Sequence, residues 1–150
     1  MKPLQSKGNK RDRKSKTLAD FVTEARSRIR EIDPAELCEL ICDKDDLLIV
    51  DVREPDEFSE EHIANSIPIP RGTLEAAADL VNRKNIRPLC EARERPVVLY
   101  CDTGARSAMA ADTLQQMGFR EVYSLAGGLA VWSAEELPLI KESVSSAWIT

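Results

Sequence analysis

The chain has 150 residues, of which 43% are hydrophobic and 31% are charged, a composition typical of one soluble globular domain. Its formal net charge is −5, but residues 1–16 carry +6, so the other 134 residues carry −11. No run of about 18 apolar residues is present, and no apolar stretch follows the basic start, which excludes a membrane-spanning helix and a signal peptide. We therefore expect a cytoplasmic protein whose four cysteines remain thiols.

The first segment, residues 1–16, is polar and basic and has no apolar periodicity. It cannot bury enough surface to offset the entropy cost of ordering, so we expect a disordered tail. Because no aromatic residues alternate with its basic residues, we expect no nucleic-acid partner. An N-terminal helix at 17–29 follows, predicted by Thr17 as N-cap and by apolar residues at helical spacing.

Residues 30–140 alternate between helical patterns and short apolar runs. The helices predicted there are 34–43, which Asp33 caps and Pro34 begins, and then 73–82, 105–117 and 129–133, with a short helix or turn beginning at 54–58. The predicted strands are 47–50, 97–100 and 122–125, with a proline-rich extended segment at 66–70 and a short extended link at 30–32. This order predicts an α/β domain with helices flanking a parallel sheet, preceded by an extra helix and followed by a tail at 141–150.

The segment with the clearest chemical meaning begins at Cys101 and reads CDTGARS. Cys101 follows a predicted buried strand, Gly104 permits a tight turn, and a helix begins directly after the turn. Backbone N–H groups of the loop and of the helix N-terminus would converge on the sulfur and stabilise the thiolate, which is the nucleophilic form. Cys101 is therefore the candidate nucleophile, whereas a cysteine outside such a loop would more simply be a core residue.

The loop length separates two kinds of chemistry. Four residues lie between Cys101 and Arg106, whereas cysteine phosphatases place five residues between their cysteine and arginine. The shorter loop fits a single sulfur atom better than a tetrahedral phosphate. The spacing therefore favours sulfur transfer, and a phosphatase or arsenate reductase on the same fold is the less favoured alternative.

Four motifs, in order along the chain, resemble the rhodanese family. They are Leu48–Phe58, Glu61–Pro68, Tyr100–Ser107, and the pattern from Gly118-Phe119 through Gly127-Gly128 to Trp132. The resemblance covers about residues 30–137 and implies a small α/β fold in which Cys101 forms a persulfide. The residues that it implies for the substrate-binding cradle are Asp102, Thr103, Gly104, Ala105 and Arg106.

The sequence departs from the family pattern at two positions. Glu61 replaces the usual glycine before the histidine, which is expected to be harmless. Asp102 follows the cysteine, where members that favour thiosulfate are often basic. Because a carboxylate at the mouth would repel a dianion, this residue weakens the case for thiosulfate as the physiological donor but leaves persulfide chemistry intact.

Other polar residues near these motifs are predicted to support the site. Asp51 and Arg53, at the end of a strand, are expected to pair or to brace neighbouring loops. His62 is expected to pack and hydrogen-bond near the loop rather than bind a metal. Arg71 is predicted either to bind an anionic donor at the mouth or to remain a solvated surface residue.

Three further cysteines are expected to be spectators. Cys38 and Cys42 lie one helical turn apart and are predicted to be core or half-buried thiols, because no histidine partners make up a metal motif. Cys90 lies in a polar connection where it could be exposed, and a spectator role is favoured over that of a resolving thiol.

Together these features predict a sulfurtransferase acting through a Cys101 persulfide, with no metal or organic cofactor. The donor would be thiosulfate, a polysulfide or a persulfide, and the acceptor would be cyanide, a thiol or a protein. The alternative is a persulfide carrier that serves one partner protein and turns over poorly with small molecules. The acidic body of the chain would suit a basic partner surface.

Overall fold

The computed structural model describes residues 15–141 of the chain. The predicted disordered tail at 1–16 and the C-terminal tail at 141–150 lie almost entirely outside this range, so both stay predictions. Within the described part, no helix combines the length and the apolar character needed to cross a membrane.

A five-stranded, fully parallel sheet forms the centre of the protein, with strand order β1-β5-β4-β2-β3. The strands are β1 (Arg30–Ile32), β2 (Leu48–Asp51), β3 (Ser66–Pro68), β4 (Pro96–Tyr100) and β5 (Glu121–Leu125). The predicted α/β class and the three predicted strands are confirmed. The segment at 30–32, predicted as a short extended link, is extended and also forms an edge strand. It joins the sheet through its backbone and needs only one buried side chain, Ile32.

Helices cover both faces of this sheet. They are α1 (Leu18–Arg28), α2 (Pro34–Asp43), α3 (Pro55–Glu60), α4 (Leu74–Ala78), α5 (Arg87–Cys90), α6 (Ala105–Gln116) and α7 (Gly128–Ala134), with a 3-10 turn at Arg71–Thr73. The predicted helix at 73–82 is too long. It ends at Ala78 because Asp79 is extended and its carboxylate accepts a hydrogen bond from the Val81 N–H, which begins a loop.

The first two helices begin where capping chemistry predicts. Thr17 and Asp20 form a reciprocal capping box at the start of α1. Asp33 and Glu36 do the same at the start of α2, whose first residue is Pro34. Because a capping box satisfies two backbone N–H groups at each helix start, these local contacts define both boundaries.

Side chains of the central strands alternate between two apolar cores, one on each face of the sheet. The core on the α6 face includes Val50, Leu99, Cys101, Ala110 and Leu114. The opposite core includes Leu37, Ile49, Val98, Tyr100 and Trp132. Cys101 therefore continues the alternation of β4 and directs its side chain to the α6 face.

The predicted N-terminal helix is confirmed, and it docks on α6. Its buried residues are Val22 and Ala25. The guanidinium of Arg28 donates two hydrogen bonds of 3.0 Å to the Asp112 carboxylate, and the Gln115 amide donates to the Arg28 carbonyl at 2.8 Å. Apolar contact and side-chain pairing together hold α1 against the helix that begins at Gly104.

Tyr100 anchors the chain beside Cys101 through a buried network. The Ile63 N–H donates to the Tyr100 hydroxyl at 3.0 Å, and the hydroxyls of Tyr100 and Ser66 lie 2.9 Å apart. Burial raises the pKa of Tyr100 above its ordinary value, so the hydroxyl stays protonated.

Tyr100→Phe should lower the free energy of unfolding by about 1–3 kcal/mol, because it leaves the Ile63 N–H without an acceptor. Urea denaturation measures this loss.

Tyr123→Phe is the matched control, because the Tyr123 hydroxyl donates to the partly buried Glu121 carboxylate rather than to a buried backbone group. Its loss should be less than half that of Tyr100→Phe. Equal losses for the two variants would contradict the special role of the Tyr100 network.

Candidate active site

Cys101 lies directly after β4, at the carboxyl end of a strand that has β2 and β5 as neighbours. Its side chain is 1% exposed. Loop residues 102–104 turn the chain into α6, and Gly104 adopts the left-handed φ of +98° that this turn requires. The carboxyl end of a central parallel strand is the usual place for a ligand in an open α/β sheet.

Two backbone N–H groups point at the Cys101 sulfur. The Gly104 N–H lies 3.1 Å from Sγ, and the Ser107 N–H lies 3.4 Å from it. The Ser107 Oγ is 3.6 Å from Sγ and hydrogen-bonds to Ser124 at 2.8 Å. Free N–H groups in the first turn of α6 stabilise negative charge on the sulfur.

Of the predicted cradle residues 102–106, the structure shows one, Gly104, donating to the Cys101 sulfur, and the substrate-binding role of the set stays a prediction. Gly104 supplies a donor, whereas Asp102 and Thr103 are exposed and Ala105 is half-buried. Ser107 was missed as a cradle residue. The signal was available, because Ser107 is the third residue of α6 and the N–H groups of a helix's first turn have no partner within the helix.

Arg106 pairs with Glu57 from α3. Its two Nη atoms donate to the two carboxylate oxygens at 3.0 and 3.2 Å. The hydrogen bond from Arg106 lowers the pKa of Glu57, and the same bond raises the pKa of Arg106. Sequence reasoning missed Glu57 as a site residue. Its one signal was its place in the first family motif, since the two residues are far apart along the chain.

Asp51 and Arg53 form a buried ion pair at the end of β2. Arg53 Nη2 lies 2.8 Å from the Asp51 carboxylate and also donates to the Glu61 carbonyl at 2.6 Å. Burial alone would lower the pKa of Arg53, but hydrogen bonds and charge from Asp51 outweigh it, so the pKa is raised. Arg53 Nη1 also lies 3.7 Å from the half-exposed Asp102 carboxylate. The pair links β2, the loop at Glu61 and the Cys101 loop.

The other two predicted site residues lie at neighbouring elements. The His62 ring stacks on Phe58 at a centroid distance of 3.7 Å, and its Nδ1 lies 2.9 Å from the Phe58 carbonyl. Arg71 donates to the Glu75 carboxylate and to the Thr113 hydroxyl, each at 3.1 Å. Thr113 is in the second half of α6, so these contacts direct Arg71 away from the first turn of that helix. Donor binding by Arg71 stays a prediction.

The remaining cysteines differ in part from expectation. Cys38 is half-buried as predicted, whereas Cys42 is exposed. Cys90, which the sequence placed in a polar connection where it could be exposed, is buried, because the short helix α5 turns it inward to 4% exposure. Its backbone N–H donates to the Ile86 carbonyl, and its carbonyl accepts from Arg93.

An acidic cavity of about 250 Å³ adjoins the Cys101 loop. Its lining residues are Arg53, Glu57, Glu60, Glu61 and Asp102. Four carboxylates against one guanidinium give this side of the loop a negative field. The two arginines near the cavity, Arg53 and Arg106, are each paired closely with a carboxylate.

Residues 33–135 match the family model of the rhodanese-like domain. The chain belongs to this family. The family match begins after α1, so the first helix of the structure lies outside it.

Proteins similar to this chain carry several names. The thiosulfate sulfurtransferase GlpE of Coxiella burnetii is 36% identical over 105 residues, covering 70% of this chain and 88% of that protein. The solved polysulfide-sulfur transferase homodimer of Wolinella succinogenes is 31% identical, with a TM-score of 0.62 and coverage of 81% and 85%. A Rhodopseudomonas palustris protein of unknown function, described as a possible tyrosine phosphatase, is 30% identical, with a TM-score of 0.78 and coverage of 84% and 96%.

Gly128, the first residue of α7, packs directly on the backbone of the Cys101 loop. A Cβ atom there would lie 2.4 Å from the Cys101 carbonyl oxygen and 2.6 Å from the Asp102 carbonyl group, and φ is +60°. Gly128→Ala should therefore displace the loop and lower the free energy of unfolding by about 2–4 kcal/mol. Denaturation and the rate of Cys101 alkylation measure the two effects.

Gly72→Ala serves as the control, because nothing lies within 4 Å of a Cβ atom at Gly72. It should leave stability within about 0.5 kcal/mol of the unmodified protein and leave Cys101 alkylation unchanged. If Gly128→Ala behaved like this control, the close contact between α7 and the loop would be disproved.

Proposed function

We propose that this protein is a rhodanese-type sulfurtransferase that carries a sulfane sulfur as a persulfide on Cys101. The observation that carries the proposal is the convergence of the Gly104 and Ser107 N–H groups on the Cys101 sulfur. Donors at this position stabilise negative charge that develops on the Cys101 sulfur when it departs in the second transfer step. Membership of the rhodanese-like family and relatives named sulfurtransferases support the same activity.

The reaction has two displacement steps. The Cys101 thiolate attacks the outer sulfur of the donor, so that a new S–S bond forms and the bond from that sulfur to the leaving group breaks. With thiosulfate, sulfite departs with the electron pair of the broken bond. In the second step an acceptor thiolate or cyanide attacks the terminal sulfur, and the Cys101 thiolate departs. Neither step needs a general base, because both nucleophiles are anions.

The charged pairs around the loop support this chemistry indirectly. Arg106 is held by Glu57 and Arg53 by Asp51, so both guanidinium groups position the loop more than they attract a second anion. Arg53 also faces Asp102. Since the adjoining cavity is acidic, a donor of lower negative charge, such as the monoanion of a small persulfide, fits the site better than the thiosulfate dianion.

A persulfide carrier for a partner protein is the second candidate function. The acidic cavity favours it, because its four carboxylates would suit a basic surface on the acceptor. Steady-state turnover with cyanide separates the two functions. A carrier would acquire sulfur on Cys101 but would regenerate its thiolate slowly without the partner.

Phosphatase activity is disfavoured by the same geometry. The loop has four residues between Cys101 and Arg106, and the Arg106 guanidinium is already bound by the Glu57 carboxylate. Rapid hydrolysis of an aryl phosphate by the purified protein would overturn the sulfurtransferase proposal in favour of the phosphatase.

Cys101→Ser should abolish sulfur transfer while leaving the fold intact, because serine is nearly isosteric and a far weaker nucleophile at neutral pH. Intact mass after incubation with a sulfur donor should show the gain of one sulfur atom in the unmodified protein and none in the variant. Cys42→Ser is the control, because it removes an exposed thiol outside the loop. Substantial turnover in Cys101→Ser would end the assignment of this nucleophile.

Asp102→Asn should raise kcat/KM for thiosulfate by about threefold to tenfold at low ionic strength, because it removes a half-exposed charge at the mouth. The gain should shrink as salt is added and should be smaller for a monoanionic aryl thiosulfonate. Steady-state kinetics with both donors at two salt concentrations measure these effects.

Glu91→Gln provides a matched control, because the Glu91 side chain is 55% exposed, as is that of Asp102, and pairs with Arg87 in α5. It should leave both kcat/KM values unchanged. Equal losses for both donors in Asp102→Asn would show instead that this carboxylate braces the loop.

A further inference from the structure

Helix α1 lies outside the family match, yet it reaches the Cys101 loop. It docks on α6 through Val22, Ala25 and the paired side chains of Arg28 and Asp112. Because α6 begins at the loop, this docking brings the face of α1 around Arg26 close to the sulfur cradle. The domain alone would lack whatever α1 contributes there.

The contribution is the guanidinium of Arg26. Its Nη2 atom lies 3.6 Å from the position that a Cβ atom on Gly104 would occupy. The N–H of that same glycine donates to the Cys101 sulfur at 3.1 Å. Arg26 pairs with Glu31 through Nε at 3.2 Å, and Nη2 takes no part in that contact. The same Cβ position would lie 3.4 Å from the Leu125 carbonyl oxygen, so Nη2 approaches the loop from the side where β5 ends. The Arg26 side chain is 43% exposed and open to a ligand.

The two other arginines near the cradle differ from Arg26 in their surroundings. Arg53 is 4% exposed and hydrogen-bonded to Asp51, and Arg106 is bound by both oxygens of Glu57. Both are on the side of the loop that faces the acidic cavity. Arg26 comes from α1 and pairs with the Glu31 carboxylate through one hydrogen bond. Carboxylates therefore lie on the cavity side of the Cys101 loop, and the Arg26 cation lies on the side of the loop where β5 ends.

We propose that Arg26 is a specificity-determining residue that binds the oxyanion end of the sulfur donor. This inference rests on the proposed sulfurtransferase function and names the group that orients its substrate. A guanidinium recognises sulfonate or carboxylate oxygens by directional, charge-assisted hydrogen bonds. With the leaving group held on the α1 side, the donor's outer sulfur faces Cys101, and the negative charge of the leaving group lies away from Asp102.

The test uses the full chain with thiosulfate and cyanide at low and high ionic strength. Arg26→Gln should lower kcat/KM for thiosulfate by about fivefold to twentyfold at low salt, mainly through KM, and the difference should shrink at high salt. Arg26→Lys should recover part of the loss, because it keeps the charge without the planar fork. Glu31→Gln should raise kcat/KM about twofold, because it releases the guanidinium from its carboxylate.

Arg28→Gln is the matched control on the same helix. Arg28 binds Asp112 on α6, so its loss should lower the melting temperature. It should leave the salt dependence of thiosulfate turnover as in the unmodified protein. A merely structural Arg26 would behave in the same way, so the salt dependence distinguishes a donor contact from a helix anchor.

The outcomes separate this inference from the function on which it rests. If the unmodified protein forms a persulfide on Cys101 and Arg26→Gln keeps kcat/KM for thiosulfate within twofold, only the role of Arg26 is overturned. Should Arg26→Gln fail to fold, an unchanged kcat/KM in Glu31→Gln overturns it equally. If the unmodified protein acquires no sulfur on Cys101, the proposed function fails, and this inference fails with it.

Discussion

The contact on which the site depends is that of two backbone N–H groups with the Cys101 sulfur. They reach it because β4 ends at Tyr100, Gly104 turns the chain with a positive φ, and α6 begins immediately afterwards. Each of these features is supported by packing elsewhere. Tyr100 is fixed by a buried hydroxyl network, and Gly128 allows α7 to lie directly on the loop. A shift in any one of them would misplace donors that stabilise charge on the sulfur only at short range.

The guanidinium groups beside the acidic cavity are both paired with carboxylates. The buried Asp51–Arg53 pair and the Glu57–Arg106 pair each hold a guanidinium by close hydrogen bonds. Such pairs position a loop well, and removing one partner of the buried Asp51–Arg53 pair would leave a poorly solvated charge. Arg26, which approaches from α1, is less constrained. Under the proposed function, this asymmetry gives the donor an orientation as well as a binding site.

Much of the fold follows from short-range sequence features. Thr17 and Asp33 cap helices as predicted, and the apolar runs before Asp51 and Cys101 form central strands. The edge strand at 30–32 was missed because backbone pairing does not need an apolar run. The helix predicted at 73–82 was overextended, because a favourable composition did not reveal the turn at Asp79.

The sequence by itself determined the order of the elements and the cysteine that follows a buried strand and precedes a helix, because these depend on residues adjacent in the chain. Only the tertiary structure decided which partner each charged side chain meets. Arg106 is 49 residues from Glu57, and Arg28 is 84 residues from Asp112. Local periodicity carries no information about such pairs, since they form only when packing of the helices on the sheet brings distant segments together. The approach of Arg26 to Gly104 arises in the same way.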